Sequence, residues 1–285
     1  MIPLYSLCHV HQGDNSGIAV TTLGAYIKSH SRLVFPHRHS FYQILYVTGS
    51  GGEHIIDFET YPVREGMAFF LSPGQIHEWK FTTETEGFLI NMGSSFFSTF
   101  LADSTYLDSL VFFSSNGKYS ALDLSGKGPE YPKLFRRLFA EGNERHANRE
   151  DMLRALLLEL FALSSREVEI RADLQKDPHC YHQFRAFEKL VEKYYTQKKL
   201  PKEYAEMLFI TPNYLNALCI RQTGRRAGDL IRSRILLESK RLLAHSDLSV
   251  SEIGWELNFE SNSYFSRFFK RYEGVTPEEF RKKRI

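Results

Sequence analysis

Leu248–Arg281 reads LSVSEIGWELNFESNSYFSRFFKRYEGVTPEEFR. In its first part Val250, Ile253 and Leu257 fall at helical spacing and give one apolar face. Ser249 or Ser251 caps this helix, and Glu252 lies in the first turn, where negative charge is favoured. Asn258-Phe259-Glu260-Ser261 reads as a turn. Asn tolerates the left-handed backbone that ends a helix, and Phe259 is expected to fold back under the corner. A second helix is predicted from about Asn262 to Tyr272, with Phe265, Phe268, Phe269 and Tyr272 as a buried stripe. Its opposite face carries Asn262, Ser263, Ser266, Arg267 and Lys270, residue types that hydrogen-bond base edges and phosphates. Gly274 stops it, and Thr276-Pro277-Glu278 opens another helix with Pro at its first position. Two short helices joined by a tight turn, the second with a polar and basic outer face, form a helix-turn-helix.

This stretch closely resembles the signature of the AraC/XylS family of transcription regulators. The resemblance is carried by Ile253-Gly254, Phe259, Ser263-Tyr264-Phe265, Arg267, Phe269-Lys270, Gly274, Thr276-Pro277 and Arg281. Gly254 stands where the family commonly has Ala, and Asn258 where it commonly has Gly. A further helix-turn-helix is predicted upstream: helix Lys202–Phe209, then Thr211 as cap, Pro212 at the first position, and Asn213–Gln222 ended by Gly224. It resembles the N-terminal half of the AraC-type module at Ala205, Tyr214-Leu215 and Gly224. Ala217 stands where a polar or basic residue is common, and Cys219-Ile220 replaces a usual Phe-Lys pair. This first unit is therefore expected to read DNA less strongly than the second. Ala227–His245 reads as one long joining helix with Ile231, Ile235 and Leu242 inward. Arg234 and Glu238-Ser239-Lys240 fall where the family places its linker helix. Helix phase and family position together select Asn213, Asn216, Asn262, Ser263, Ser266 and Arg267 as base readers. Arg221, Arg225 and Lys270 are selected as phosphate contacts. For each, a merely solvated helix face is the competing account, and Arg267 could instead be structural.

The 285 residues are enough for two domains, and 42% hydrophobic content fills real cores. Residues 183–285 carry 20 Lys and Arg against 13 Asp and Glu, a balance of +7, while 1–182 balance at −5. That division suits one nucleic-acid module and one that is not. No apolar run is long enough for a membrane span, and the opening MIPLYSLCHVHQGDNSG lacks a basic region followed by an apolar segment. Cys8, Cys180 and Cys219 are odd in number and far apart, so neither a disulfide framework nor a metal pattern is expected. A cytoplasmic location fits.

Toward the N-terminus the pattern is β. Phe41–Thr48, Glu53–Phe58, Tyr61–Val63, Met67–Leu71, Glu78–Phe81 and Gly87–Met92 are short strands separated by Gly and Pro turns, which implies a sandwich or barrel. Strands are also expected at Ile18–Tyr26 and Leu110–Phe113, and a short helix at Phe96–Leu101. Over residues 30–92 the segment resembles the cupin domain found in many AraC-family regulators. The matching residues are Pro36-His37-Arg38-His39, Gln43, Gly49, Gly66, Pro73-Gly74 and His77. His37, His39 and His77 resemble the metal ligands of cupin enzymes, and a His-X-His pair on a strand turns both rings to one face. Gln43 stands where such enzymes place a carboxylate. Three accounts are open for these histidines: a metal site, a small-molecule pocket, or buried rings with satisfied hydrogen bonds. The pocket, lined by His37, His39, Tyr42, His77 and Trp79, is the one adopted, and no metal or other cofactor is assigned.

From Glu130 to Arg166 the period becomes helical. Tyr131, Leu134, Phe135, Leu138 and Phe139 mark one helix and Met152–Leu163 a second, in an antiparallel pair. Leu153, Leu156, Leu157, Leu160 and Phe161 exceed what one face needs. They either cover the barrel or pair with another subunit, as helices at this place do in resembling regulators. The expected fold is α+β and multidomain. A cupin-like sensing and dimerisation domain (1–166) with a helical pair is followed by a polar linker (167–182). An all-α double helix-turn-helix domain (183–285) completes the chain. The expected function is that of an AraC-type regulator, not an enzyme. Its expected partners are promoter DNA, a small-molecule effector and a second copy of the chain, with RNA polymerase admitted as a further one. The rival is a metal-dependent cupin enzyme fused to a DNA-binding domain.

Overall fold

The computed structural model describes residues 3–10, 17–30, 36–98, 100–101, 106–113, 119–172 and 178–283. Two compact units, Ile2–Ala172 and Asp173–Ile285, are present.

The strands of the first unit are β1 (Leu4–Tyr5), β2 (Ile18–Thr22), β3 (His37–His39), β4 (Tyr42–Gly49), β5 (Glu53–Ile56), β6 (Glu59–Pro62), β7 (Met67–Leu71), β8 (Ile76–Lys80), β9 (Glu86–Met92) and β10 (Ala121–Asp123). They form two five-stranded sheets, in the orders β1-β3-β8-β5-β6 and β10-β7-β4-β9-β2. One core lies between them: Leu45 and Val47 of β4, Phe69 and Leu71 of β7 and Leu89 of β9 meet Ile56 of β5 and Trp79 of β8. The alternate residues of β4 (Tyr42, Ile44 and Tyr46) belong to a second core on the other side of their sheet. This is the period of two that a strand imposes, here apolar on both faces.

A short helix, α1 (Leu7–Val10), follows β1. The second core is closed by Phe96, Phe97, Leu107, Leu110, Phe112 and Phe113 and by a long helical pair, α5 (Glu130–Asn143) and α6 (Arg149–Ala172). The Tyr46 and Phe135 rings stack at 4.3 Å. At Gly142 a Cβ would come 2.6 Å from the Cβ of Val20, so glycine is what lets α5 approach β2. The surplus apolar residues of α6 are used inside the subunit. Leu153, Leu156, Leu157, Leu160 and Phe161 are all buried. Phe161 alone meets Phe97, Tyr106, Phe112 and Phe113. Its helix thus serves two neighbours, α5 and these aromatic residues, and the expected partner-subunit face is not made by the buried residues of α6.

Several boundaries differ from expectation. The Ile18–Tyr26 strand ends at Thr22, whose hydroxyl caps α2 (Leu23–Ser29) by accepting from the Ala25 N–H at 3.3 Å. The helix expected at Phe96–Leu101 is α3 (Ser95–Ser98). After α4 (Tyr106–Ser109), Val111–Phe113 is a 3₁₀ turn rather than a strand, because Phe112 and Phe113 pack on the outside of the sheet instead of pairing with it. Where a loop-like linker was expected at 167–182, α6 runs to Ala172 and the next helix begins at Pro178.

Among its described residues the second unit is all helical: α7 (Pro178–Tyr194), α8 (Pro201–Met207), α9 (Pro212–Thr223), α10 (Ala227–His245), α11 (Val250–Glu256), α12 (Asn262–Glu273) and α13 (Pro277–Lys282). Leu243, rather than Leu242, is fully buried on α10 together with Ile231 and Ile235.

Candidate nucleic-acid interface and a buried histidine cluster

Helices α11 and α12 form the helix-turn-helix read in the sequence. Ser249 accepts from the Glu252 N–H at 3.2 Å while Glu252 accepts from the Ser249 N–H at 2.7 Å. This reciprocal bonding holds the Glu252 carboxyl below its ordinary range. Asn258 takes the left-handed conformation with φ 54°. Phe259 is buried, its ring 5.2 Å from those of Phe265 and Phe268. Ser261 caps α12, and Gly274 at φ 84° ends it. Phe265 and Phe269 are buried, but Phe268 is only half-buried and Tyr272 is exposed, so the inward stripe is narrower than predicted. Asn262, Ser263, Arg267 and Lys270 are exposed and Ser266 is half-buried. Arg267 stays close to its own helix, its Nε donating to the Ser263 carbonyl at 3.3 Å.

The first unit, α8 and α9, repeats the plan with a turn one residue shorter. Phe209 occupies the left-handed position at φ 54° that Asn258 holds in the second unit, and its ring is 96% exposed. Ile210 follows as the half-buried corner residue, with its N–H on the Ala205 carbonyl at 3.0 Å. The equivalent bond in the second unit runs from the Phe259 N–H to the Gly254 carbonyl at 2.8 Å. Asn213 is exposed near the start of α9. Asn216 is engaged within the fold. Its Oδ1 accepts from the N–H of Ala227, the first residue of α10, at 3.1 Å. Arg221 donates to the Cys180 sulfur at 3.5 Å, and Arg225 donates to the Asp229 carbonyl at 3.2 Å and to the Ser233 hydroxyl. Burial pushes the Cys219 thiol up to about 12.

Charged side chains tie the helices of the C-terminal unit to one another. Arg234 of α10 pairs with Glu192 of α7 at 2.8 Å and with Glu238 at 3.0 Å, and lies 4.0 Å over the Tyr195 ring. Burial opposes its charge, but the two carboxylates outweigh that and raise its pKa above the ordinary guanidinium value. Lys199, next to the start of α8, donates to the Asn258 carbonyl and sits 3.9 Å over the Phe259 ring. Arg281 donates to the Leu248 carbonyl at 2.6 Å.

In the N-terminal unit, β3 and β8 pair so that His37 faces His77 in register. The Nε2 atoms of His37 and His39 are 2.9 Å apart. His77 lies 4.5 Å from His37 and 4.8 Å from His39 by ring centroids. His54, which the sequence motif does not include, joins them because β5 pairs β8 with His54 opposite Trp79. The alternation of His54 and Ile56 along one strand is the signal that could have found it. Burial first, then the neighbouring imidazoles, depresses the pKa of His39 and His77 far below the ordinary value. Burial and His37 bring His54 to about 3. These three rings are neutral near pH 7. Tyr42 is not part of the group. It points to the opposite face of β4, where its hydroxyl donates to Asp108 and its ring meets Phe113. Gln43 takes the inward place and donates to Asn91 Oδ1 at 2.9 Å.

Two family models match the sequence: an AraC-like ligand binding domain over residues 23–162 and a helix-turn-helix domain over 204–283. The chain belongs to the AraC/XylS family. Among curated relatives, 81 residues are 43% identical to an uncharacterised transcriptional regulatory protein, YesN, of Bacillus subtilis. That match spans 27% of this chain and 22% of YesN. The transcriptional activator RhaS of Escherichia fergusonii is 25% identical over 258 residues, 88% of each chain. Among solved structures, ToxT of Vibrio cholerae matches 85% of this chain and 90% of its own length at 18% identity, with a TM-score of 0.40. No helix among the described residues is long and apolar enough to cross a membrane.

Proposed function

We propose that this AraC/XylS protein is a sequence-specific DNA-binding transcription regulator, controlled by a small effector held in its N-terminal unit. The observation that carries the DNA reading is the outer face of α12. Asn262, Ser263, Arg267 and Lys270 are exposed together on a helix whose inner face is fixed by Phe265 and Phe269. Asn213 offers a comparable position on α9. Helix α10 has 19 residues and is therefore about 28 Å long. That length suits two recognition helices entering successive major-groove turns about 34 Å apart. Asn262, Ser263, Ser266, Arg267 and Asn213 are the base readers in this reading; Lys270, Arg221 and Arg225 are the phosphate contacts. The match to an AraC-like ligand binding domain supports effector control, with His37, His39, His77 and Trp79 at the effector site. The effector would act by binding one arrangement of the protein better than another. A homodimer belongs to this reading too, through a surface other than the buried leucines of α6, and RNA polymerase is the downstream partner.

The test is selection of duplexes by the full chain from a random pool, followed by titration of the selected site over a salt series. Discrimination of about 10³-fold or more over random DNA is expected. Equal affinity for all duplexes, falling steeply with salt, would leave a basic surface with no readout and end the proposal.

A further inference from the structure

Four imidazoles meet in the N-terminal unit, and packing alone does not account for them. His37, His39 and His77 offer nitrogens that all lie within 4.8 Å of one another, and the three rings are at most 2% exposed. The hydrogen bonds behind them fix which nitrogen of His77 carries the proton. The Trp79 indole N–H only donates, and it lies 3.1 Å from His54 Nε2. That nitrogen is therefore an unprotonated acceptor. It also lies 3.2 Å from His77 Nδ1. An acceptor cannot supply the proton for that contact, so His77 Nδ1–H donates. The lone pair of His77 is then on Nε2, the form in which an imidazole binds a metal ion.

The proton of His54 is left on Nδ1, and among the described residues that buried nitrogen finds no hydrogen-bond partner. An apolar side chain would fill the same space without leaving a buried donor unpaired. On the same inward face of β4, Gln43 Oε1 also lacks a partner among the described residues.

We propose that His37, His39 and His77 form a site for a divalent first-row transition-metal ion of the zinc type, with His54 and Trp79 as positioning residues that hold His77 in its ligating tautomer. Three imidazoles with a fourth position left over suit zinc, cobalt, nickel or iron, and disfavour magnesium and calcium, which take oxygen ligands. Tetrahedral coordination at about 2.1 Å sets nitrogens roughly 3.4 Å apart. The 2.9 Å contact between His37 and His39 opens slightly on binding, and the widest pair closes from 4.8 Å. The site itself is independent of the DNA reading; that the ion serves as the effector rests on the regulator proposed above.

The experiment uses the full chain after chelator treatment, titrated calorimetrically with Zn²⁺ and spectroscopically with Co²⁺. One ion per chain is expected, with Co²⁺ absorption of a nitrogen-rich site. His77→Gln is expected to lower affinity by about 100-fold or more. Trp79→Phe is expected to lower it roughly 10- to 100-fold while keeping the Co²⁺ spectrum, which separates positioning from ligation. His146→Ala, at an exposed histidine elsewhere, is expected to change nothing. His39→Gln serves as the second ligand variant should His77→Gln fail to fold. Absence of stoichiometric uptake by the wild-type chain, or uptake unchanged in a folded ligand variant, overturns the site. A DNA titration with and without Zn²⁺ is read separately. Uptake with unchanged DNA affinity overturns the effector role, and absence of DNA binding in both arms overturns the regulator reading while the metal result stands.

Discussion

Asn213 and Asn216 lie one turn apart on α9, and truncating them is expected to have opposite consequences. Asn216 is half-buried, and its Oδ1 accepts from the Ala227 N–H at 3.1 Å. Ala227 is 0% exposed and is the first residue of α10, whose own N-cap, Arg226, supplies no capping hydrogen bond from its side chain. Asn216→Ala therefore removes the partner of a buried N–H at a helix start. Loss of a cap costs about 0.5–2 kcal/mol and an unsatisfied buried donor about 1–3 kcal/mol. An expected loss of about 1–2 kcal/mol follows, concentrated in the helix that joins the two helix-turn-helix units. Asn213 is exposed, and Asn213→Ala is expected to change stability by less than about 0.5 kcal/mol. On DNA it is expected to lose roughly 1–3 kcal/mol of discrimination at one base pair. Urea unfolding of the full chain, hydrogen exchange across α10 and binding to single-base variants of the selected site measure the three quantities. An Asn216→Ala protein with wild-type exchange in α10 and relaxed base preference would refute the capping argument and return Asn216 to the reading face.

On α12, Arg267→Ala should relax preference at one position by about 1–3 kcal/mol, whereas Lys270→Ala should weaken all sequences alike and reduce the salt slope by about one, both read from binding isotherms. Gly254→Ala should stabilise the C-terminal unit by roughly 0.5–1 kcal/mol in urea, because Gly254 is inside α11 and an added Cβ would meet Phe265 only at an ordinary 3.4 Å; destabilisation would show that the α11–α12 contact is tighter than described. Phe259→Ala should cost about 3–5 kcal/mol and Phe209→Ala almost nothing, since one ring is 6% exposed and the other 96%; the same unfolding assay decides. In native protein at about pH 8 a thiol reagent should modify Cys8, which is exposed, and spare Cys219, which is buried with its thiol pushed up to about 12; peptide mapping of the labelled protein reads the sites.

Much of this protein was legible because its decisive signals are local. Ser249 with Glu252, Thr211 with Pro212, Thr276 with Pro277 and the two glycines that end α9 and α12 act within one turn of themselves, and each does so in the structure. The phenylalanine spacing on α12 gave an inner face whatever it packs against, though Tyr272 exceeds the arc that α12 buries. What the sequence could not supply was set by contacts distant along the chain. Parity along β4 depends on which sheet face meets the inner core; it turned Tyr42 outward to Asp108 and Gln43 inward. His54 reached the other histidines through the pairing of β5 with β8, which no local pattern specifies. Phe209 fell on the left-handed turn position that Asn258 holds in the second unit and so stayed in solvent, while Phe259 fell on the corner position and was buried. Asn216 became a cap only because α10 begins beside it, and the leucines of α6 became core only because a second aromatic surface lies against them. Helix phase and caps are properties of neighbouring residues and are written in order along the chain. The partner of a polar atom, and the side of a strand that faces a core, are fixed only when segments far apart in sequence close on one another.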